Sequence, residues 1–175
     1  MRAIVIYKSK YGSTKKYAEW IGEALSCPVK EAKTVSVEEL ADYDAIIYGG
    51  GLYAEVINGV QLITKNMDAL KDKKIAVYST GITPLRYREY YDKMVIEKNF
   101  KNGIPPQVRV FNFLGKMILS ELSIPHRAAL KTLKKIMQSR ENPTEMEKLL
   151  VELCDANGDF SDKEAITDLI NYVRD

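Results

Sequence analysis

The sequence predicts an α/β fold in which a parallel sheet is covered by helices on both faces. Three observations lead there. Five short apolar runs rich in β-branched residues alternate with segments whose apolar residues recur at helical spacing. The first of these runs, "RAIVIY", is short, apolar and rich in β-branched residues, as a buried strand is. No repeat, low-complexity tract or linker interrupts the 175 residues, a length that suits a single domain over 1–175. Crossovers between such strands are right-handed.

"RAIVIY" (2–7) is the first strand, and 14–25 the first helix, with Tyr17, Ala18, Ile21, Ala24 and Leu25 on one face. Ser13 or Thr14 supplies its cap, and Cys27-Pro28 ends it. "VKEAKTV" (29–35) is a more polar strand, placed near an edge, and "DAIIYGGG" (44–51) a third strand that runs into three glycines. Asn58 is expected to cap a helix carrying Val60, Ile63, Met67 and Leu70. "KKIAVYST" (73–80) is the fourth strand, and Thr83-Pro84 is expected to open the helix that carries Tyr87, Tyr90, Tyr91, Met94 and Val95. "VRVFNFL" (108–114) is the fifth strand. Two helices follow, over 124–138 and 142–154. In "DANGDFSD" the glycine comes fourth, not sixth, which excludes an EF-hand calcium loop. Ser161 and Glu164 are expected to form a capping box for the last helix.

Composition narrows the function classes. Apolar residues make up 46% and charged residues 29%, a soluble globular balance. The start is too short and too soon charged for a signal peptide, and no apolar run approaches a membrane span. The expected location is therefore cytoplasmic, with Cys27 and Cys154 as reduced thiols. A single histidine, His126, excludes a multi-histidine metal site. The charge is uneven: 141–175 holds ten acidic and three basic residues, net −7, against net +9 for 1–140. No nucleic-acid partner is expected.

Ligands of open parallel sheets bind beyond the carboxyl ends of the strands. Three segments of small and hydroxyl residues emerge there: "SKYGST" (Ser9, Lys10, Tyr11, Gly12, Ser13, Thr14), "GGGLYAEV" (49–56) and "STGITP" (79–84). The first fits neither GxxxxGK[ST] nor GxGxxG, which argues against nucleoside triphosphates and dinucleotides. A single terminal phosphate is left, held by backbone N–H groups, the hydroxyls of Ser9, Ser13 and Thr14, and the helix dipole. A plain capped turn would also account for the loop. In the second segment three consecutive glycines, Gly49, Gly50 and Gly51, let the backbone lie against a planar ligand, with Leu52, Tyr53 and Ala54 following and Tyr53 able to stack. In the third, Ser79, Thr80, Gly81, Ile82 and Thr83 offer N–H and hydroxyl groups to a ring edge. Phosphate at one end and a flat ring between two loops describe FMN.

"IVIYKSKYGSTKKYAEWI" resembles the flavodoxin phosphate-loop signature, with Ser9, Gly12, Thr14 and Ala18 at its defining positions. The resemblance covers roughly 1–115. It implies a flavodoxin-like doubly wound five-stranded sheet of order 2-1-3-4-5, extra C-terminal helices and bound FMN. Tyr11 stands where Thr is usual, the third loop lacks a stacking aromatic, and Lys8, Lys10, Lys15 and Lys16 line loops that are acidic in electron shuttles. In these respects, and in a family-specific segment at about 115–140, the chain looks more like flavodoxin-domain proteins related to menaquinone-dependent protoporphyrinogen dehydrogenase. The resemblance then implies an FMN-dependent oxidoreductase with a quinone or redox protein as partner and a small-molecule substrate. A plain electron shuttle and a flavin-binding or flavin-free interaction module are the rival readings. No catalytic acid or base stands out. Arg86 and Arg88 are candidates for an anionic substrate or plain surface charges. Six basic residues between 116 and 140 suggest peripheral contact with an anionic membrane or acidic partner, the acidic tail pointing away.

Overall fold

The computed structural model describes residues 1–175. Its sheet is built from β1 (Ala3–Lys8), β2 (Val29–Glu31), β3 (Ala45–Tyr53), β4 (Val56–Ile57), β5 (Lys74–Gly81) and β6 (Val108–Leu114). The parallel strands run in the order β2-β1-β3-β5-β6, and the two-residue β4 folds back antiparallel on β3. With β4 set aside, this is the 2-1-3-4-5 order expected. Ile4, Ile6, Ile46, Tyr48, Ile75 and Val77 enter the core on one face. Val5, Ala45, Ile47, Ala76 and Tyr78 enter the core on the other, with Tyr17 and Ile21 of helix α1 (Ser13–Leu25). The period of two thus serves two cores at once.

Several elements are shorter than their apolar patterns. β2 stops at Glu31 because Thr34 Oγ1 donates to the Glu31 carbonyl at 2.8 Å and draws 32–34 into a tight turn. The helix expected from Asn58 shrinks to α2 (Gln61–Thr64), and Asn58 does not cap it: Gly59 sits at φ +78°, and Asn66 Nδ2 donates to the Leu62 carbonyl. Val60, Ile63 and Leu70 are buried all the same, so their spacing marked a face rather than a continuous helix. Thr83-Pro84 opens no helix. Thr83 is buried, its carbonyl accepts from Tyr91 Oη at 2.5 Å, and a π-helical stretch, Tyr90–Val95, leads into α3 (Ile96–Asn99). Nor do Ser161 and Glu164 form a capping box: Ser161 Oγ donates to Asp159 at 2.6 Å, and Glu164 N donates to Asp162 at 2.9 Å.

After β6 the chain forms β7 (Lys116–Met117), α4 (Ile124–Gln138), α5 (Glu145–Leu153), β8 (Gly158–Asp159, paired with β7) and α6 (Thr167–Arg174). Leu169, Ile170 and Val173 of α6 complete the second core. Helix α4 buries no residue fully and packs on α5. The acidic tail therefore does not point away from the basic helix. Asp155 pairs with Lys134, and Glu147 pairs with Arg140. No helix is long and apolar enough to cross a membrane.

Candidate functional site

The three segments meet at the carboxyl ends of β1, β3 and β5, as the topology requires. Gly12, at φ +95°, turns the chain from β1 into α1. It occupies the cap position and no side chain caps the helix, so neither Ser13 nor Thr14 does. In consequence the N–H groups of Lys10, Tyr11, Ser13, Thr14 and Lys15 donate to no protein acceptor, while that of Gly12 donates to Ser9 Oγ at 3.1 Å. A helix start with free N–H groups and a positive dipole end suits an anion.

The loop hydroxyls are placed less simply than expected. Ser13 Oγ accepts from Lys116 N at 2.8 Å, so Ser9 and Ser13 both act as acceptors and keep their own protons to donate. Thr14 Oγ1 lies 2.7 Å from Thr80 Oγ1 in a buried pair, which leaves one proton between the two hydroxyls. Tyr78 Oη fixes this corner by donating to the Thr14 carbonyl at 2.8 Å. Ser79 is also turned inward, donating to Asn112 Oδ1 at 2.7 Å.

Gly49, Gly50 and Gly51 form no loop. They lie within β3, in register with Tyr78, Ser79 and Thr80. A Cβ at Gly49 would sit 2.0 Å from the Tyr78 ring, and one at Gly50 would sit 2.6 Å from the Asn58 carbonyl. Those two glycines answer to internal packing. Only Gly51 opens on the site: its missing Cβ would lie 3.3 Å from the Tyr53 ring and 3.7 Å from Thr14 Oγ1. Burial, with the nearby Tyr11, pushes the Tyr53 phenol up to about 12, so it stays neutral. The true second loop is the tight turn between β3 and β4. Ala54 and Glu55 both adopt left-handed backbone there, φ +46° and +63°. Leu52 of this hairpin reaches across to Gly81, 3.3 Å from where a Cβ would be, so the second and third segments touch.

Two features of the site escaped sequence reasoning. Asn99, distant in sequence and 8% exposed, clamps the second loop: it accepts from Ile57 N at 2.8 Å and donates to the Glu55 carbonyl at 2.7 Å. The segment after β6 adds a fourth wall. Gly115 N donates to the Gly81 carbonyl at 2.7 Å. Ser123 N donates to Tyr11 Oη at 3.3 Å, and His126 Nδ1 lies 2.6 Å from that same oxygen. The His126 ring also stands beside Tyr53, centroids 5.4 Å apart. Burial pushes the Tyr11 phenol up, but the Ser123 hydrogen bonds and the Lys10 charge outweigh it, and the group titrates below its ordinary range. By contrast Arg88 pairs with Asp92 at 3.2 Å and Arg86 lies over Tyr87, so both look outward. The structure holds no cluster of three or more His, Cys, Asp or Glu side chains fit for a metal ion.

The turn strain can be tested directly. Glu55→Gly removes a left-handed non-glycine residue and is expected to raise stability by about 1 kcal/mol, or roughly 2–4 °C in Tm. A thermal melt showing no gain would mean that the side chain supports the turn.

The flavodoxin-domain family model matches residues 4–146, and the chain belongs to this family. No curated protein matches it significantly. Among solved structures it is similar to a flavodoxin from the domain Archaea, 19% identical, covering 100% of both chains at a TM-score of 0.43. Oxidised Flavodoxin 1 from Bacillus cereus is 20% identical, over 65% of this chain and 84% of that one, at 0.45. A flavodoxin, WrbA-like protein from Agrobacterium tumefaciens is 16% identical, over 71% and 86%, at 0.44.

Proposed function

We propose that this flavodoxin-domain protein binds FMN and transfers electrons through it. The observation that carries the reading is the set of unpartnered N–H groups of Lys10, Tyr11, Ser13, Thr14 and Lys15 beside hydroxyls that keep their protons. That donor set suits a terminal phosphate, and it needs no lysine at a fixed place. Gly51, Tyr53, Leu52 and the Gly81–Thr83 stretch would take the ring. The flavin supplies the redox chemistry; the chain binds it, orients it and keeps water away. Tyr53 is neutral and half-buried, so it offers an apolar face rather than a charge. Wild-type protein titrated with FMN should bind about one per chain. At roughly 100 times Kd, FMN should stabilise the fold by about 2.7 kcal/mol, or on the order of 5–10 °C in Tm. Riboflavin, without the phosphate, should do much less. A Tm unmoved by both would overturn the reading.

The finer form is a quinone-linked oxidoreductase of the protoporphyrinogen dehydrogenase type. What supports it is the lysine-lined first loop, where Lys10 and Lys15 are exposed. Multiple-turnover reoxidation of the reduced protein by menaquinone analogues is the expected result. Reduction by a pyridine nucleotide with no quinone activity would favour another reductase class. Contact with an anionic membrane through α4 now rests on Arg127, Lys131 and Lys135, which make no ion pair; Lys134 and Arg140 are already paired.

A further inference from the structure

A half-open cavity lies against α4, between Leu119–Ser120 on one side and Cys154–Asp155, just after α5, on the other, and it shares no residue with the three segments at the sheet's carboxyl edge. Its volume is about 320 Å³, within the range of small-molecule sites. Leu119, Leu130 and the buried Cys154 give it an apolar floor. One wall is a stripe of α4 in which Arg127, Lys131 and Lys134 recur at i, i+4 and i+7. Like charges at this spacing repel. Asp155 neutralises Lys134, but Arg127 and Lys131 have no carboxylate partner within the protein. Two uncompensated cations thus face an apolar hollow. The core does not require them there, because α4 buries no residue fully.

We propose that this cavity binds an amphipathic organic monoanion, with a carboxylate between Arg127 and Lys131 and a short apolar body on Leu119 and Leu130 beside Cys154. An inorganic anion would satisfy the cations but leave the floor in contact with water. A cation or metal ion would meet a positive wall. A polyanion such as a nucleotide would outnumber the two free cations, and no row of free N–H groups like that of the first loop supports it here. This inference does not depend on the flavin reading and holds whether or not FMN binds.

Octanoate is the probe, with octylamine and inorganic phosphate as controls. The protein is the full chain carrying Cys27→Ser, so that iodoacetamide reports on Cys154 alone. Octanoate is expected to slow labelling about threefold or more and to raise Tm, as occupancy of a native site does. Octylamine and phosphate should do neither. In Arg127→Gln/Lys131→Gln, both exposed positions, the octanoate midpoint should rise about tenfold or more through loss of the charge-assisted contacts. Where labelling is too slow to follow, Tm carries the same comparison. Equal effects of octylamine would reduce the cavity to an apolar hollow, and equal effects of phosphate to a charge patch. An unchanged midpoint in the double variant, or no effect of octanoate on labelling or Tm, would overturn the proposal.

Discussion

Gly49→Ala is expected to destabilise the protein by about 3 kcal/mol, read as a lower urea midpoint at unchanged slope. The added methyl group would lie 2.0 Å from Tyr78 Cζ and 2.3 Å from its hydroxyl oxygen. The ring cannot step aside. Tyr78 is fully buried, lies against Phe113 at 5.6 Å between centroids, and donates to the Thr14 carbonyl. Gly49 in turn lies in the central strand, flanked by Tyr7 of β1 and Tyr78 of β5. Because Tyr78 holds the start of α1, the damage should reach the first loop, and any bound anion should weaken with it. Tyr78→Leu in the same chain should recover part of the loss. A Gly49→Ala protein within about 0.5 kcal/mol of wild type would mean that this corner is loose.

Asn99→Ala comes next, also at about 3 kcal/mol. One side chain makes three hydrogen bonds: from Ile57 N, to the Glu55 carbonyl and to the Val95 carbonyl, the last at 2.7 Å. Each is worth about 1 kcal/mol net, and more where a buried group is left without a partner. The strained turn at Ala54 and Glu55 depends on this clamp, so local opening should increase along with global loss. Hydrogen exchange should speed up most at the Ile57 amide. Unchanged protection there would show that the hairpin holds itself.

The strands were legible because their physics is local. β-branched apolar runs such as "AIVIY" and "IAVY" signal burial on both faces without reference to anything distant. Helix length was less legible. Asn66 and Thr34 end their elements through side chains that bond the backbone nearby, a competition that apolar spacing does not record. In the site, Gly12 and the free N–H groups beside it could be anticipated from the strand–turn–helix pattern. The three glycines were misread: two of them make room for Tyr78 and for the returning strand at Asn58, partners that spacing alone does not identify. Asn99 and His126 lay further out of reach, because their roles come from contacts 42 and 115 residues away.

Helix α6 has a consequence for how the chain is made. It lies beyond residue 146, where the family match ends, yet Leu169, Ile170 and Val173 close the core that Val5 and Ile47 begin. A ribosome makes β1, which ends at Lys8, long before α6, which begins at Thr167, so one face of the sheet must wait, covered only in part by α1, while the residues between are synthesised. Burying Ile166, Leu169, Ile170 and Val173 contributes about 2 kcal/mol each, together comparable with the whole margin of a domain. The nascent chain is thus expected to need protection from aggregation until α6 has emerged, and this face of the sheet to close late rather than progressively.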